Sequence, residues 1–184
     1  RGIDLEWGKK QIRKSVTSGI LQGNSVRKIA TDLQARLTEM NRASAVRAAR
    51  TAVTGAQNAG RIDSYHAAKR MGIKIRKEWL ATLDGHTRHA HALQQADVDE
   101  PFKVDGKEIR YPGDPTAHPS LVYRCRCTLV AAVDGVDTGG AQRRARDPET
   151  GKSVLIKNMT YAQWARWKTE LQITKPSIAI TRKD

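Results

Sequence analysis

Trp79 to His91 reads W-L-A-T-L-D-G-H-T-R-H-A-H, and Tyr123 to Thr128 answers it with Y-R-C-R-C-T. Between them, Phe102 to Pro115 reads F-K-V-D-G-K-E-I-R-Y-P-G-D-P. Both cysteines and every histidine except His66 fall within residues 79–127. The middle run predicts a β-hairpin. Phe102 and Val104 on one side, Ile109 and Tyr111 on the other, flank Asp105-Gly106, a pair suited to a type I′ turn. Pro112-Gly113 and Pro115 end it. Before this stretch, Ile73, Ile75 and Trp79 alternate with Lys74 and Arg76, the pattern of a strand with one wet face. After it, Cys125, Cys127 and Leu129 alternate as a last core strand. Asp84-Gly85 breaks the chain, and a short helix is expected over 87–93. Asp97–Glu100 reads as an acidic loop, and His118-Pro119 as another loop.

Working upstream, Asn24 or Ser25 caps a helix whose Val26, Ile29, Ala30, Leu33, Leu37 and Met40 keep the helical period. Residues 42–58 form an Ala-rich second helix with Ala45, Val46, Ala49, Ala52, Val53 and Ala56 in its stripe. Gly60 is expected to end it, with a third helix or turn from Ile62 to Met71. Residues 1–23 are basic and weakly patterned, and read as an N-terminal arm in which Ile3, Leu5, Trp7, Ile12, Val16, Ile20 and Leu21 would line a short amphipathic helix. Downstream, residues 134–152 are rich in Gly, Arg and Asp and read as a linker. Val154 and Ile156 mark a strand, Thr160 to Gln163 is a capping box opening a helix with Trp164 and Trp167, and a short strand is expected at Ile178–Ile180. The expected class is α+β: N-terminal helices, a small antiparallel sheet with a short packed helix, and a C-terminal helix. The expected organisation is an arm at 1–23, a domain at 24–133, and a linker with a helical extension at 134–184.

The chain has 184 residues, of which 39% are hydrophobic and 5% aromatic, with a net charge of +14. Residues 1–80 carry 17 basic against 6 acidic side chains, so the positive field belongs to the N-terminal part. That field favours a polyanionic partner. Arg42, Arg47, Arg50, Lys69, Arg70, Lys74 and Arg76 are the candidates for contact with DNA phosphates, which Lys and Arg bind without reading sequence. No apolar run is long enough to cross a bilayer, so no membrane partner is expected. Two cysteines only two positions apart do not build a disulfide framework.

Three chemistries compete for the central stretch. His91, His118, Cys125 and Cys127 are competent zinc ligands, but neither H-x-H nor C-x-C is a standard knuckle, so the expected cofactor is none, with zinc as the alternative. Asp84, His86 and His89 invite a metal-dependent nuclease, yet there is no second carboxylate cluster, nucleophile elbow or phosphate loop, so no enzyme is expected. The third reading is a fold lock. Asp84 caps the short helix, Arg88 donates a fork to Asp84 or to carbonyls near Cys125, and His91 bridges to the returning strand.

The order of motifs resembles the phage Mu F-like head-morphogenesis family, minor capsid proteins of tailed phages. The matching residues are Trp79, Ala81, Asp84, Thr87, Arg88 and His91, then Pro112, Gly113, Asp114 and Pro115, then Cys125, Arg126 and Cys127, with A-A-R-T-A at Ala48–Ala52 upstream. The likeness covers roughly residues 24–133. Ala52 stands where the family often has Glu, and Arg124 where it often has Asn. Some members carry cysteines at the positions of Arg88 and His91, a four-cysteine zinc set that Arg88 breaks here. The resemblance implies a virion protein inside the head, near the portal, in multiple copies per particle. Its partners would be portal protein, major capsid protein and packaged double-stranded DNA, with passage through the host cytoplasm during assembly. The implied work is head assembly or genome packaging and ejection. Domains of this type also occur joined to toxin domains, so a delivery part of a larger phage-encoded effector is the alternative.

Overall fold

The computed structural model describes residues 5–37, 41–87, 95–136, 141–147 and 149–173. Three helices come first: α1 (Leu5–Leu21), α2 (Val26–Arg36) and α3 (Arg42–Arg70). Ser25 caps α2, accepting the Lys28 N–H at 3.3 Å. Asn41 caps α3, accepting the Ser44 N–H at 2.9 Å. Val16, Ile29, Leu33, Ala45 and Ala49 share one buried cluster drawn from all three helices. The basic N-terminal segment is therefore a helix packed into the helical cluster. Ile12 and Val16 stand one turn apart on its inner face, and Gly19 lets α1 approach so closely that an added Cβ would meet Ile29.

The expected break at Gly60 does not occur, and α3 runs unbroken for 29 residues, about 43 Å. A mid-helix glycine costs about 1 kcal/mol, and burial at both ends of α3 offsets it. Its first half contributes Ala45 and Ala49 to the helical cluster, and its second half sends Asn58 and Ile62 under the sheet.

That sheet has the order β2-β1-β5, with β1 (Ile75–Leu80) antiparallel to both β2 (Gln95–Asp97) and β5 (Thr128–Val133). Trp79 stands opposite Leu129, and Arg76 opposite Asp97, so the acidic stretch read as a loop begins as an edge strand. The hairpin β3 (Phe102–Val104) and β4 (Lys107–Ile109) folds over it. Asp105 and Gly106 take φ of 49° and 69°, as the type I′ turn requires. Phe102 meets Trp79 edge to face at 5.3 Å between centroids. Cys125 and Cys127 are core residues with alternating burial, but they lie just before β5 and not within it. His118, read as part of a loop, caps the short helix α4 (Pro119–Val122), its Nδ1 accepting the Ser120 N–H at 3.3 Å.

Residues 134–152 are also not a plain linker. Gln142–Arg146 is β6, paired with β7 (Ser153–Lys157) in a two-stranded antiparallel sheet. Arginines hid the alternation, because a guanidinium reaching backbone oxygen is compatible with an inward position. Arg143 is opposite Ile156 and donates to the carbonyls of Ala81 and, at 3.1 Å, Met159. Arg146 N–H donates to the Leu83 carbonyl at 2.9 Å. The helix α5 (Tyr161–Ile173) opens on a reciprocal capping box. Thr160 Oγ1 accepts the Gln163 N–H at 3.1 Å, and Gln163 Oε1 accepts the Thr160 N–H at 2.7 Å. Trp164 then closes a third cluster with Leu83 and Ala145. The class is α+β, with helices first, small antiparallel sheets and a C-terminal helix. Arg88, His89 and His91, the short helix beyond Thr87, and the strand at 178–180 lie outside the described residues.

Candidate functional site

Asp84 sits where the first motif meets the last. It is 5% exposed. Arg126 grips both its oxygens in a fork, with Nη2 to Oδ1 at 2.9 Å. The His86 N–H donates to Oδ1 at 2.9 Å, and the short helix that Asp84 is expected from sequence to cap lies outside the described residues. Around the fork, Thr87 Oγ1 donates to the Thr82 carbonyl at 2.5 Å, and Thr82 Oγ1 to the Arg126 carbonyl at 2.9 Å. Burial raises the Asp84 pKa, and the Arg126 fork with the His86 N–H outweighs it, so the carboxyl lies below the usual range. Arg126 lies 42 positions along the chain from the carboxylate it holds, and Arg88, the donor expected from sequence, lies outside the described residues. Trp79 lies in the core beneath, 1% exposed.

A second hub carried little sequence signal. Asn58 is 1% exposed in the middle of α3. Its Nδ2 donates to the carbonyls of Pro112 at 2.8 Å and Cys127 at 3.2 Å. Its Oδ1 accepts the Leu129 N–H at 3.1 Å and the Thr128 hydroxyl at 3.2 Å. One turn earlier, Gly55 meets Gly113 backbone to backbone, and a Cβ on either would collide with the other. Asp114 of the P-G-D-P turn is 1% exposed and takes a fork from Arg110 at 2.8 and 2.9 Å, plus the Thr116 N–H at 3.0 Å. Burial pushes its carboxyl up, and these donors overcome that and hold it at about 2. Only the polar residue on an apolar helix face could have flagged Asn58.

Between these hubs and the first half of α3 runs a groove of about 960 Å³. One wall is α3, with Arg42, Arg47 and Arg50 around Ala43 and Val46. The other is the Asp84 loop and the C-R-C segment, bringing His86, Arg124 and Arg126 around Cys125 and Cys127. Arg124 holds φ of 59°, and its N–H donates to Thr51 Oγ1 at 3.3 Å, which ties this wall to α3.

The seven cations expected from sequence to contact DNA do not form one surface. Arg42 and Lys69 stand ~40 Å apart along α3. Lys69 is held by Asp97 at 2.6 Å and Asp99 at 2.5 Å, because β2 and its acidic turn fold back over the end of α3. Arg76 lies 3.9 Å from Asp134, and Arg70 and Lys74 are exposed at that same far end. Arg42, Arg47 and Arg50 are instead joined by Arg124 and Arg126, which sequence reading had not placed with them.

Of the zinc candidates, Cys125 and Cys127 are buried and not disulfide-bonded. His118 is exposed, with Nδ1 2.8 Å from the Ser120 hydroxyl, and His91 lies outside the described residues. Among the described residues, no group of three or more His, Cys, Asp or Glu side chains could hold a metal. Another polar group sits unannounced in the core. Lys77 is 1% exposed, its Nζ donates to the Arg110 carbonyl at 3.1 Å, and it lies 4.8 Å over the Phe102 ring. Burial pulls its pKa down to about 8, against the opposing pull of Asp97, Asp99 and Glu100. Among the described residues no helix is long and apolar enough to cross a membrane.

The family described as Phage Mu protein F like protein matches residues 10–130. A curated protein named NAD(+)--arginine ADP-ribosyltransferase EFV, from Enterococcus faecalis (strain ATCC 700802 / V583), is 30% identical over 182 residues. The alignment covers 95% of this chain and 35% of that protein, so the chain spans about a third of its relative's length. No solved structure matches.

Proposed function

This chain belongs to the phage Mu protein F-like family, and from that premise we propose that it is a minor head protein of a tailed phage that faces the packaged genome. In this reading it resides inside the capsid near the portal in several copies, contacts portal and major capsid protein, and binds double-stranded DNA without sequence preference. Its work is structural: head assembly, packaging or ejection of the genome. The supporting observation is the groove with arginines on both walls, Arg42, Arg47 and Arg50 facing Arg124, while Arg126 on the same wall as Arg124 is engaged by Asp84. Cations converging from two elements make a site for polyanions, whereas scattered surface cations only solubilise. Titrating a labelled duplex at several salt concentrations tests this. Binding should weaken steeply with salt, and replacing Arg42, Arg47 and Arg50 together by Gln should flatten the log–log slope by about 2 to 3, near 0.9 per lost phosphate contact. Salt-insensitive binding, or an unchanged slope, refutes the assignment.

A second reading follows from the coverage of the Enterococcus relative. Nearly the whole chain aligns with a third of a longer protein whose name is that of an ADP-ribosyltransferase. The same domain would then serve as the phage-head portion of a larger effector, carrying another activity into place. An NAD-dependent transfer assay on an arginine-containing acceptor separates the readings. Transfer by these 184 residues alone would make the chain itself the enzyme.

A further inference from the structure

Arg124 carries a long side chain at a backbone position that favours glycine. Val122 to Cys125 closes a tight turn, with the Cys125 N–H donating to the Val122 carbonyl at 3.2 Å. Tyr123 has φ of −61° and ψ of 133°, and Arg124 has φ of 59°. Those angles make a type II turn, whose third position needs a positive φ and ordinarily holds Gly or Asn. A larger side chain there is strained, and strain of this kind persists where the surroundings impose it and a site uses it. Arg124 lines the groove opposite Arg42, Arg47 and Arg50. Arg126, on the same wall, is held in the Asp84 fork. The charge which that wall offers a phosphate therefore rests on Arg124.

A hydroxyl joins this turn to α3. Thr51 Oγ1 donates to the Arg47 carbonyl one turn back at 3.0 Å and accepts the Arg124 N–H at 3.3 Å. The first bond uses the hydroxyl's one hydrogen, which leaves its lone pairs for the turn. The N–H it accepts belongs to the central peptide of the turn. Flipping that peptide is what separates a type II turn from a type I turn, in which the third position relaxes to a φ of about −90° that any residue adopts. A flip would point the N–H away from Thr51 and turn the arginine side chain with it. The Thr51 hydroxyl thus opposes the one rearrangement that would relieve Arg124.

We propose that Thr51 is a positioning residue for DNA binding: by holding the Arg124 N–H it selects the type II turn, and so presents the Arg124 guanidinium to phosphate across from Arg47 and Arg50. Thr51 does not line the groove itself, so it acts on DNA through Arg124. The proposal rests on the DNA-facing reading above and adds to it a residue, outside the groove, on which the opposed charge depends.

The test uses the whole chain and a labelled duplex titrated at several salt concentrations. Thr51→Val keeps the branched shape and removes the hydroxyl. It should lower the log–log salt slope by about 0.9, the share of one phosphate contact, and so weaken binding about eightfold at about 0.1 M salt. Thr51→Ala should match it, and Thr51→Ser, which keeps the hydroxyl, should bind as the parent does. Arg124→Asn removes the guanidinium but suits a positive φ, and it should lose the same amount. Adding Thr51→Val to Arg124→Asn should then cost nothing further, since the hydroxyl acts only through that arginine. An unchanged slope in both Thr51→Val and Thr51→Ala, a Thr51→Ser protein as weak as these, or an equal further loss in the Arg124→Asn background would each overturn the positioning role while leaving DNA binding by the groove in place. A parent protein whose duplex binding ignores salt, or that binds no duplex, would remove the underlying reading as well.

Discussion

Replacing Asn58 with Ala should be among the most damaging single changes this fold can suffer, although the side chain is small and lies in a helix. The amide joins three segments: α3, the P-G-D-P turn and the start of β5. Truncation leaves the Pro112 and Cys127 carbonyls and the Leu129 N–H without their Asn58 partner in a region closed to solvent. Each buried hydrogen bond contributes about 1 kcal/mol net, and a stranded buried donor costs about 1–3 kcal/mol. The carbonyls retain a second acceptor site, so they sit at the low end. The Thr128 hydroxyl and Arg61 guanidinium are less buried and re-pair easily, so they add little. The expected loss is about 3–5 kcal/mol from a total that for such domains is about 5–15 kcal/mol. Urea unfolding followed by circular dichroism would show a lower midpoint with an unchanged slope, and melting would fall by roughly 8–15 °C. Asn58→Leu should do no better, since it leaves the same three groups unpaired. A loss under about 1 kcal/mol would mean that the three partners find other donors, and the hub argument would be refuted.

Two glycines of α3 should respond in opposite ways. Gly55→Ala drives a methyl into the Gly113 carbonyl and should destabilise despite alanine's better helix propensity, whereas Gly60→Ala enters open space and should stabilise by about 0.5–1 kcal/mol; paired thermal melts decide it, and the same sign for both would contradict the backbone contact. Asp114 titrates near 2 in the fold against an ordinary 3.8, so its stabilisation is complete above about pH 4 and is lost as pH falls toward 2. That linkage amounts to about 2 kcal/mol, and acid unfolding of Asp114→Asn should be shallower than that of the parent over this window. Lys77 has the reverse sign: with a folded pKa of about 8 below the ordinary 10.5, its burial penalises the fold at neutral pH, and stability should rise as pH climbs from 8 toward 10.5. Lys77→Met should abolish that rise and melt higher at pH 7, by roughly 1 kcal/mol after the lost Arg110 hydrogen bond. A lower melting temperature across the range would show that the amine stabilises through its carbonyl and ring contacts.

Local chemistry was legible in the residues themselves. Asp105-Gly106 specifies its turn because few other pairs accept two positive φ angles, and Thr160 with Gln163 specifies a helix start because the partners are three residues apart. The motif order from Trp79 to Cys127 pointed to the family, and the matching profile bears that out. What lay beyond reach were choices made by chain segments far apart in sequence. Arg126 holds Asp84 because β5 returns beside β1, and Lys69 is paired because β2 and the turn after it bring Asp97 and Asp99 over it. Gly60 looked like a stop, yet burial on both of its sides kept α3 whole. The groove is the same kind of outcome. Arg42 and Arg50 lie on one helical face by periodicity, but Arg124 faces them only because Asn58 and the Gly55–Gly113 contact pull the C-R-C segment down onto α3. Hydrogen bonds and ion pairs act over a few ångströms in space, and no spacing along the chain records which distant partner the fold will place at that range.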